Sequence, residues 1–231
     1  MLDEVNEDQP APNGDSEDPW TQRYYDKGTQ GFERVVLFSD AVYAISLTLI
    51  AVQLVLPALT DLSSGTQSAG EVIYTGLQNA YAYAFTFIWI AFYWKANHRF
   101  TLTLRRMNGR YIWAVLIYLG FIALLPFPAS ILGEEWDPQA LAFFFIYMAC
   151  VSALEVVLMV IAIRSDLLVR QLDPRQVKRW VLAALCPVVA ALVAAPLCFA
   201  GPWGNYLAIA AMVTLSFGLS TIVRRRYSVS L

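Results

Sequence analysis

The sequence predicts an all-α membrane protein, a single repeat of six transmembrane helices with both termini on the cytoplasmic side. Three observations lead there. Hydrophobic blocks fall at about 35–57, 74–94, 111–132, 139–163, 180–200 and 205–223, each near the ~20 residues that a helix needs to cross a bilayer. Of the 231 residues, 58% are hydrophobic and only 15% charged, whereas soluble domains carry about a quarter charged residues. Finally, all 16 Lys and Arg residues fall on one side of the six-helix reading. They lie before the first block, between the second and third, between the fourth and fifth, and after the last. The loops 58–73, 133–138 and 201–204 contain none. Short cytoplasmic loops retain positive charge during insertion, so the asymmetry orients the chain.

In chain order, residues 1–30 read as a disordered, acidic cytoplasmic tail. Asp3, Glu4, Glu7, Asp8, Asp15, Glu17 and Asp18 precede the first basic residue, and such a composition cannot bury a core. Trp20, Tyr24 and Tyr25 belong either to this tail or to a short interfacial segment. Residues 31–226 form the transmembrane domain and 227–231 a short cytoplasmic tail. The net charge of -2 averages an acidic tail with basic loops, which read as topology signals and not as a nucleic-acid footprint. No cleavable signal peptide is expected, because the N-terminus carries acids in place of a basic segment and an apolar core.

Helix one is expected to begin near Glu33 and stop at Pro57. Helix two is rich in aromatic residues. Helix three closes with Leu125-Pro126-Phe127-Pro128, where two prolines should kink or unwind the last turn. Gly133–Pro138 and Gly201–Gly204 are links short enough to make their helices antiparallel neighbours. No repeat of the first three helices is visible in the last three, so an inverted-repeat transporter gains no support. Cys150, Cys186 and Cys198 all lie within predicted helices and read as apolar packing residues rather than a disulfide framework.

Two ionisable side chains fall within the helix cores, Asp40 and Glu155. Such residues are costly in hydrocarbon and mark function or a paired structural clamp. Asp40 sits near the cytoplasmic end of helix one. Glu155 lies deeper, and its partner cannot be named from sequence. His98 is the single histidine, too few ligands for a metal site. With no phosphate loop, nucleophile elbow or acid pair, no enzyme and no cofactor are expected. At ~100° per residue, Ala41, Ile45, Thr48, Leu49, Val52 and Leu56 share one stripe of helix one, with Asp40 pointing away from it. Periodicity alone is compatible with helix packing or lipid contact.

Arg34-Val35-Val36-Leu37-Phe38-Ser39-Asp40 fits the pattern R-x-x-x-F-S-D at the start of a first membrane helix. Trp94 and His98-Arg99-Phe100 follow at the end of helix two, then Asn108 before helix three and Leu125-Pro126-Phe127 closing it. Over roughly the first 130 residues this resembles the transmembrane protein 175 family, lysosomal potassium channels and their prokaryotic relatives. The resemblance implies a potassium-permeable cation channel in the cell membrane, and for a chain with one repeat a homotetramer. It implies that helix one lines the pore, with Ile45, Leu49 and Val52 as the apolar constriction and Thr48 at a position linked to potassium preference. Arg34, Phe38, Ser39, Asp40, Trp94 and His98 would form a structural network at the cytoplasmic end. The partners implied are the lipid bilayer, permeant K+ and three further copies of the chain, with no nucleic acid. Two other classes stay open: a proton-coupled transporter or proton leak using Glu155 and Asp40, and a non-conducting membrane scaffold.

Overall fold

The computed structural model describes residues 24–64, 68–134, 137–169 and 173–226; the expectations for residues 1–23 and for the C-terminal tail 227–231 lie outside them. Helices dominate: α1 (Gln30–Ser64), α2 (Ala69–Thr101), α3 (Gly109–Leu124), α4 (Pro126–Glu134), α5 (Pro138–Arg164), α6 (Pro174–Leu197) and α7 (Gly204–Arg226). Five segments are long and apolar enough to cross a membrane: Gln30–Val52, Gly109–Leu132, Pro138–Arg164, Pro174–Leu197 and Gly204–Val223. The second predicted block falls on α2, which is 33 residues long.

Helix one does not stop at Pro57. Its backbone runs on to Ser64, because a membrane helix tolerates an internal proline where neighbours and local adjustment satisfy the freed carbonyl. α6 likewise holds Pro187 and Pro196 within its span. The expected disturbance in helix three falls at Leu125. There the chain leaves α3 with a single tight bond from the Leu125 N–H to the Ile122 carbonyl, then resumes as α4 at Pro126. Proline at the first position of α4 has no N–H to lose.

α3 and α4 pack between α1, α2 and α5, while α5, α6 and α7 follow as successive antiparallel neighbours. The core lies where the first five helices meet, around Tyr43, Ile90, Tyr118, Ile122, Phe144 and Phe145. Aromatic rings bridge α2 to α5 and α7: Phe85 lies 5.6 Å from Phe144, and Phe92 5.5 Å from Phe217. α6 packs instead through small residues, burying Cys186, Ala190, Ala191, Ala194 and Ala195, which lets backbones approach closely. The Cys186 and Cys198 thiols donate to the carbonyls of Leu182 and Ala194, one turn back.

At the end rich in basic residues the chain builds a small cap. β1 (Tyr24–Asp26) pairs antiparallel with β2 (Arg106–Asn108), Tyr25 opposite Met107. The expected tail boundary at residue 30 therefore cuts through ordered chain: residues 24–29 belong to the folded part. The Arg106 guanidinium lies 4.1 Å from the centre of the Tyr24 ring, and the Arg105 N–H donates to the Leu167 carbonyl at 2.8 Å. Asp166 accepts from Arg105 at 3.4 Å and pairs with Arg106 at 3.7 Å. The Asn108 side chain caps α3, accepting from the Tyr111 N–H at 2.9 Å.

The cap also fixes where helix one begins. The Tyr25 ring lies directly on Gly31, where a Cβ would collide with it. Replacing Gly31 by alanine must push the ring aside at a cost of about 1 kcal/mol, the low end for overpacking. Hydrogen exchange at Tyr24–Asp26 should accelerate in Gly31→Ala while the helix cores keep their protection; unchanged exchange there would show that β1 does not depend on this contact.

Candidate functional site

Helix one has two distinct faces. Ser39, Tyr43, Ser46 and Ile50 recur at helical spacing and are all buried. On the other side Ile45, Leu49 and Val52 are 56%, 44% and 47% exposed, with Ala41, Ala44 and Thr48 exposed among them. As far as Val52, the stripe read from periodicity is thus an apolar face that the chain leaves uncovered, with Thr48 as its hydroxyl. The Thr48 hydroxyl donates to the Ile45 carbonyl at 2.8 Å. Its hydrogen is spent within the helix, so its oxygen meets any visitor as an acceptor.

The buried face is held by hydroxyl groups. The hydroxyls of Tyr43 and Tyr118 lie 2.7 Å apart, joining α1 to α3. The Ser46 hydroxyl lies within bonding distance of two carbonyls, Val42 at 2.9 Å and Ile122 of α3 at 3.1 Å. These groups set the rotation of helix one about its own axis, and therefore which residues form the open face. Periodicity alone did not single them out. The available signal was the run of Ser39, Tyr43 and Ser46 on one side of an otherwise apolar helix, since hydroxyl side chains join helices within membranes.

The residues expected to form a network are only partly brought together. Trp94 Nε1 donates to Asp40 Oδ1 at 2.9 Å, and the His98 ring stacks on Trp94 with centroids 5.3 Å apart. This ties α1 to α2 near the basic end and accounts for Asp40 pointing away from the open stripe. Ser39 is buried and donates within its own helix, to the Val35 carbonyl at 2.8 Å. Phe38 is 51% exposed and Arg34 is also exposed, so both stand outside the packed part of the chain.

Glu155 lies on α5, one turn beyond the buried Ser152. Tyr93 of α2 lies 2.7 Å from the Ser152 hydroxyl and 3.1 Å from the Met148 carbonyl. Asp137 caps α5, accepting from the Gln139 N–H at 3.0 Å. Among the described residues no cluster of His, Cys, Asp and Glu is arranged to hold a metal.

Residues 34–126 match the family model described as endosomal/lysosomal potassium channel TMEM175. A curated relative, the potassium channel HX13_20290 of Chryseobacterium sp. (strain P1-3), is 30% identical over 106 residues, 46% of this chain and 51% of that one. The match thus spans about half the length of that relative. The fold is similar to the crystal structure of a lysosomal potassium-selective channel TMEM175 homolog from Chamaesiphon minutus. The TM-score is 0.64 at 18% identity, covering 84% of this chain and 99% of that one. It is also similar to a variant of the potassium channel MtTMEM175 in complex with a nanobody–MBP fusion. There the TM-score is 0.55 at 18% identity, covering 88% and 94% of the two chains.

Proposed function

We propose that the chain, whose residues 34–126 match the TMEM175 family model, belongs to that family and is a potassium-permeable cation channel. Four copies assemble around an axis lined by helix one, in a cell membrane that each copy crosses six times, with α2 as the second span and both termini cytoplasmic. The observation that carries this reading is the open face of α1: an apolar stripe left uncovered on a helix whose opposite face is packed and hydrogen-bonded. Fourfold symmetry turns Ile45, Leu49 and Val52 into apolar rings, with successive turns about 5.4 Å apart. A narrow ring of this kind gates by dewetting. Four Thr48 oxygens, their hydrogens already donated to Ile45, add an acceptor ring that meets a partly dehydrated K+. Asp40, Trp94 and His98 hold α1 against α2 outside the conduction path. Potassium is the permeant ion, and the channel works without a cofactor.

The direct test is purified protein in liposomes loaded with K+. A K+ flux that dissipates the imposed gradient is expected. Protein that passes no ion would sink the channel reading in favour of a scaffold. Flux that follows only a pH gradient would favour a proton pathway through Glu155 and Asp40.

Orientation has its own test. A cysteine introduced by Ser64→Cys should label from outside the cell with an impermeant thiol reagent, and one introduced by Ser228→Cys should not. The native cysteines lie in or at the end of membrane helices and should give little background. The reverse labelling pattern would invert the topology.

A further inference from the structure

We propose that Ser46, on the side of helix one turned away from the open stripe, is a positioning residue for the pore: its hydroxyl stands in for the N–H that Pro126 lacks, and so holds helix one to the break between α3 and α4. The consequence for conduction rests on the channel reading above; the hydrogen bond itself lies within a single chain.

The break deprives two carbonyls of α3 of their helical donors. In an unbroken helix the Phe121 carbonyl would accept from the Leu125 N–H, and the Ile122 carbonyl from the N–H of residue 126. Leu125 donates instead to Ile122, at 3.2 Å, and Pro126 has no N–H to give. Within hydrocarbon there is no water to take over, so a freed carbonyl needs a donor from the protein. Phe121 has the Tyr147 hydroxyl of α5 at 2.8 Å. Ile122 is fully buried and has, beside the tight bond from Leu125, the Ser46 hydroxyl of α1 at 3.1 Å. One break in α3 is thus gripped from two sides, by side chains of α1 and α5.

Hydrogen counting directs the Ser46 bond. Its hydroxyl has one hydrogen and two carbonyls in reach, Val42 at 2.9 Å and Ile122 at 3.1 Å. Val42 lies inside α1, where the backbone N–H four residues on already serves its carbonyl. Ile122 has lost that donor to proline. A buried acceptor left short costs more than a second bond to a satisfied one gains, so the hydrogen belongs on Ile122.

The position of Ser46 turns this bond into a pore element. Helix one meets α3 at Tyr43 with Tyr118 and, one turn on, at Ser46 with Ile122. Ser46 follows Ile45 directly and precedes Thr48 by two residues, so both lie within about 3 Å of it along the helix axis. Two anchors a turn apart fix the rotation of the helix. With Ser46 released, Tyr43 is left as a single pivot, and Ile45 and Thr48 lose their set angle to the pore axis.

The test is a set of double-variant cycles in a melting assay, with K+ and Na+ flux in liposomes as the second readout. Ser46→Ala should lower the Tm by about 4 °C, the contribution of one buried hydrogen bond in a chain of this length. In protein that still assembles normally it should also lower the K+ to Na+ flux ratio about threefold. Ser46→Cys keeps a donor of similar size, as the Cys186 and Cys198 thiols do toward carbonyls one turn back, and should recover most of both. Pro126→Ala restores the missing N–H, so Ser46→Ala added to it should cost less than about half of what it costs alone. Tyr147→Phe should behave in the same way, because Leu125 is then free to return to Phe121. Ser39→Ala, whose hydroxyl serves Val35 within its own helix, is the control and should cost the same in both backgrounds. Equal penalties for Ser46→Ala with and without Pro126 overturn the inference. So does a Ser46→Ala protein with the wild-type flux ratio, or a Ser46→Cys protein as impaired as Ser46→Ala. If Pro126→Ala does not fold, the order of wild type, Ser46→Cys and Ser46→Ala in flux ratio decides. A wild type that passes no K+ removes the channel reading instead, and the melting cycles then still decide whether Ser46 stands in for the Pro126 N–H.

Discussion

Replacing Ile45 by asparagine should raise K+ flux about tenfold, equivalent to removing ~1.4 kcal/mol from the barrier, and should weaken discrimination against Na+. In the proposed tetramer the physical reason is the cost of drying an ion at an apolar ring: four amide groups there would hydrate it and admit either cation with water attached. Leu49→Asn, one turn further along the same exposed face, should act in the same direction. Thr48→Ala should separate the two effects. It deletes the acceptor oxygen that the Thr48–Ile45 bond leaves facing outward, so selectivity falls while flux changes little. Leu47, half-buried and packed against the core, is the contrast: Leu47→Asn puts an amide among core side chains and should cost stability first. The measurements are K+ and Na+ flux in liposomes, together with the oligomeric state of each variant. Ile45 and Leu49 variants that assemble normally yet leave flux and selectivity unchanged would show that helix one does not line the pore.

The open stripe was legible in the sequence because ~100° per residue places Ile45, Thr48, Leu49 and Val52 together. Which side of helix one packs inward was not legible, because the helix is apolar on both sides. Packing resolves this: Tyr43, Ser46 and Ile50 are buried while Ile45 is not, and the buried side is specified by bonds to α3. Partners contributed by helices distant in the sequence leave no local pattern. The bond between Asp40 and Trp94 spans 54 positions and the one between Tyr43 and Tyr118 spans 75, so Glu155 could be flagged as costly but not given its surroundings. The cap escaped for a different reason. β1 and β2 are three residues each, too short for alternation to show, and Tyr24 and Tyr25 read equally well as interfacial aromatics. Proline gave mixed guidance. Pro126 and Pro128 correctly marked a disturbance in the third helix, whereas Pro57 looked like a terminus and is passed by a continuing helix.

Replacing Asp40 by alanine should lower the thermal stability of the assembled protein without altering the selectivity of what remains assembled. As the member of an ion pair, Asp40 would leave a buried charge stranded on truncation, a loss of roughly 3–5 kcal/mol. The geometry gives a smaller figure. Asp40 is half-buried, and its recorded bond is to a neutral donor, the Trp94 indole at 2.9 Å. A hydrogen bond to a charged group contributes roughly 1.5–3 kcal/mol, which for a chain of this length corresponds to a fall of about 3–12 °C in Tm. Asp40→Asn keeps a carbonyl oxygen where Oδ1 now accepts from Trp94, so it should retain much of the stability that alanine loses. Trp94→Phe removes the donor and leaves the carboxylate without it, and should therefore be at least as damaging as Asp40→Ala. It also alters the ring on which His98 stacks. The ordering expected in a melting assay is wild type, then Asp40→Asn, then Asp40→Ala and Trp94→Phe together, with the K+ to Na+ flux ratio constant across the series. A flux ratio that tracks the substitution at Asp40 while the tetramer stays intact would move Asp40 from a support of helix one into the conduction path itself.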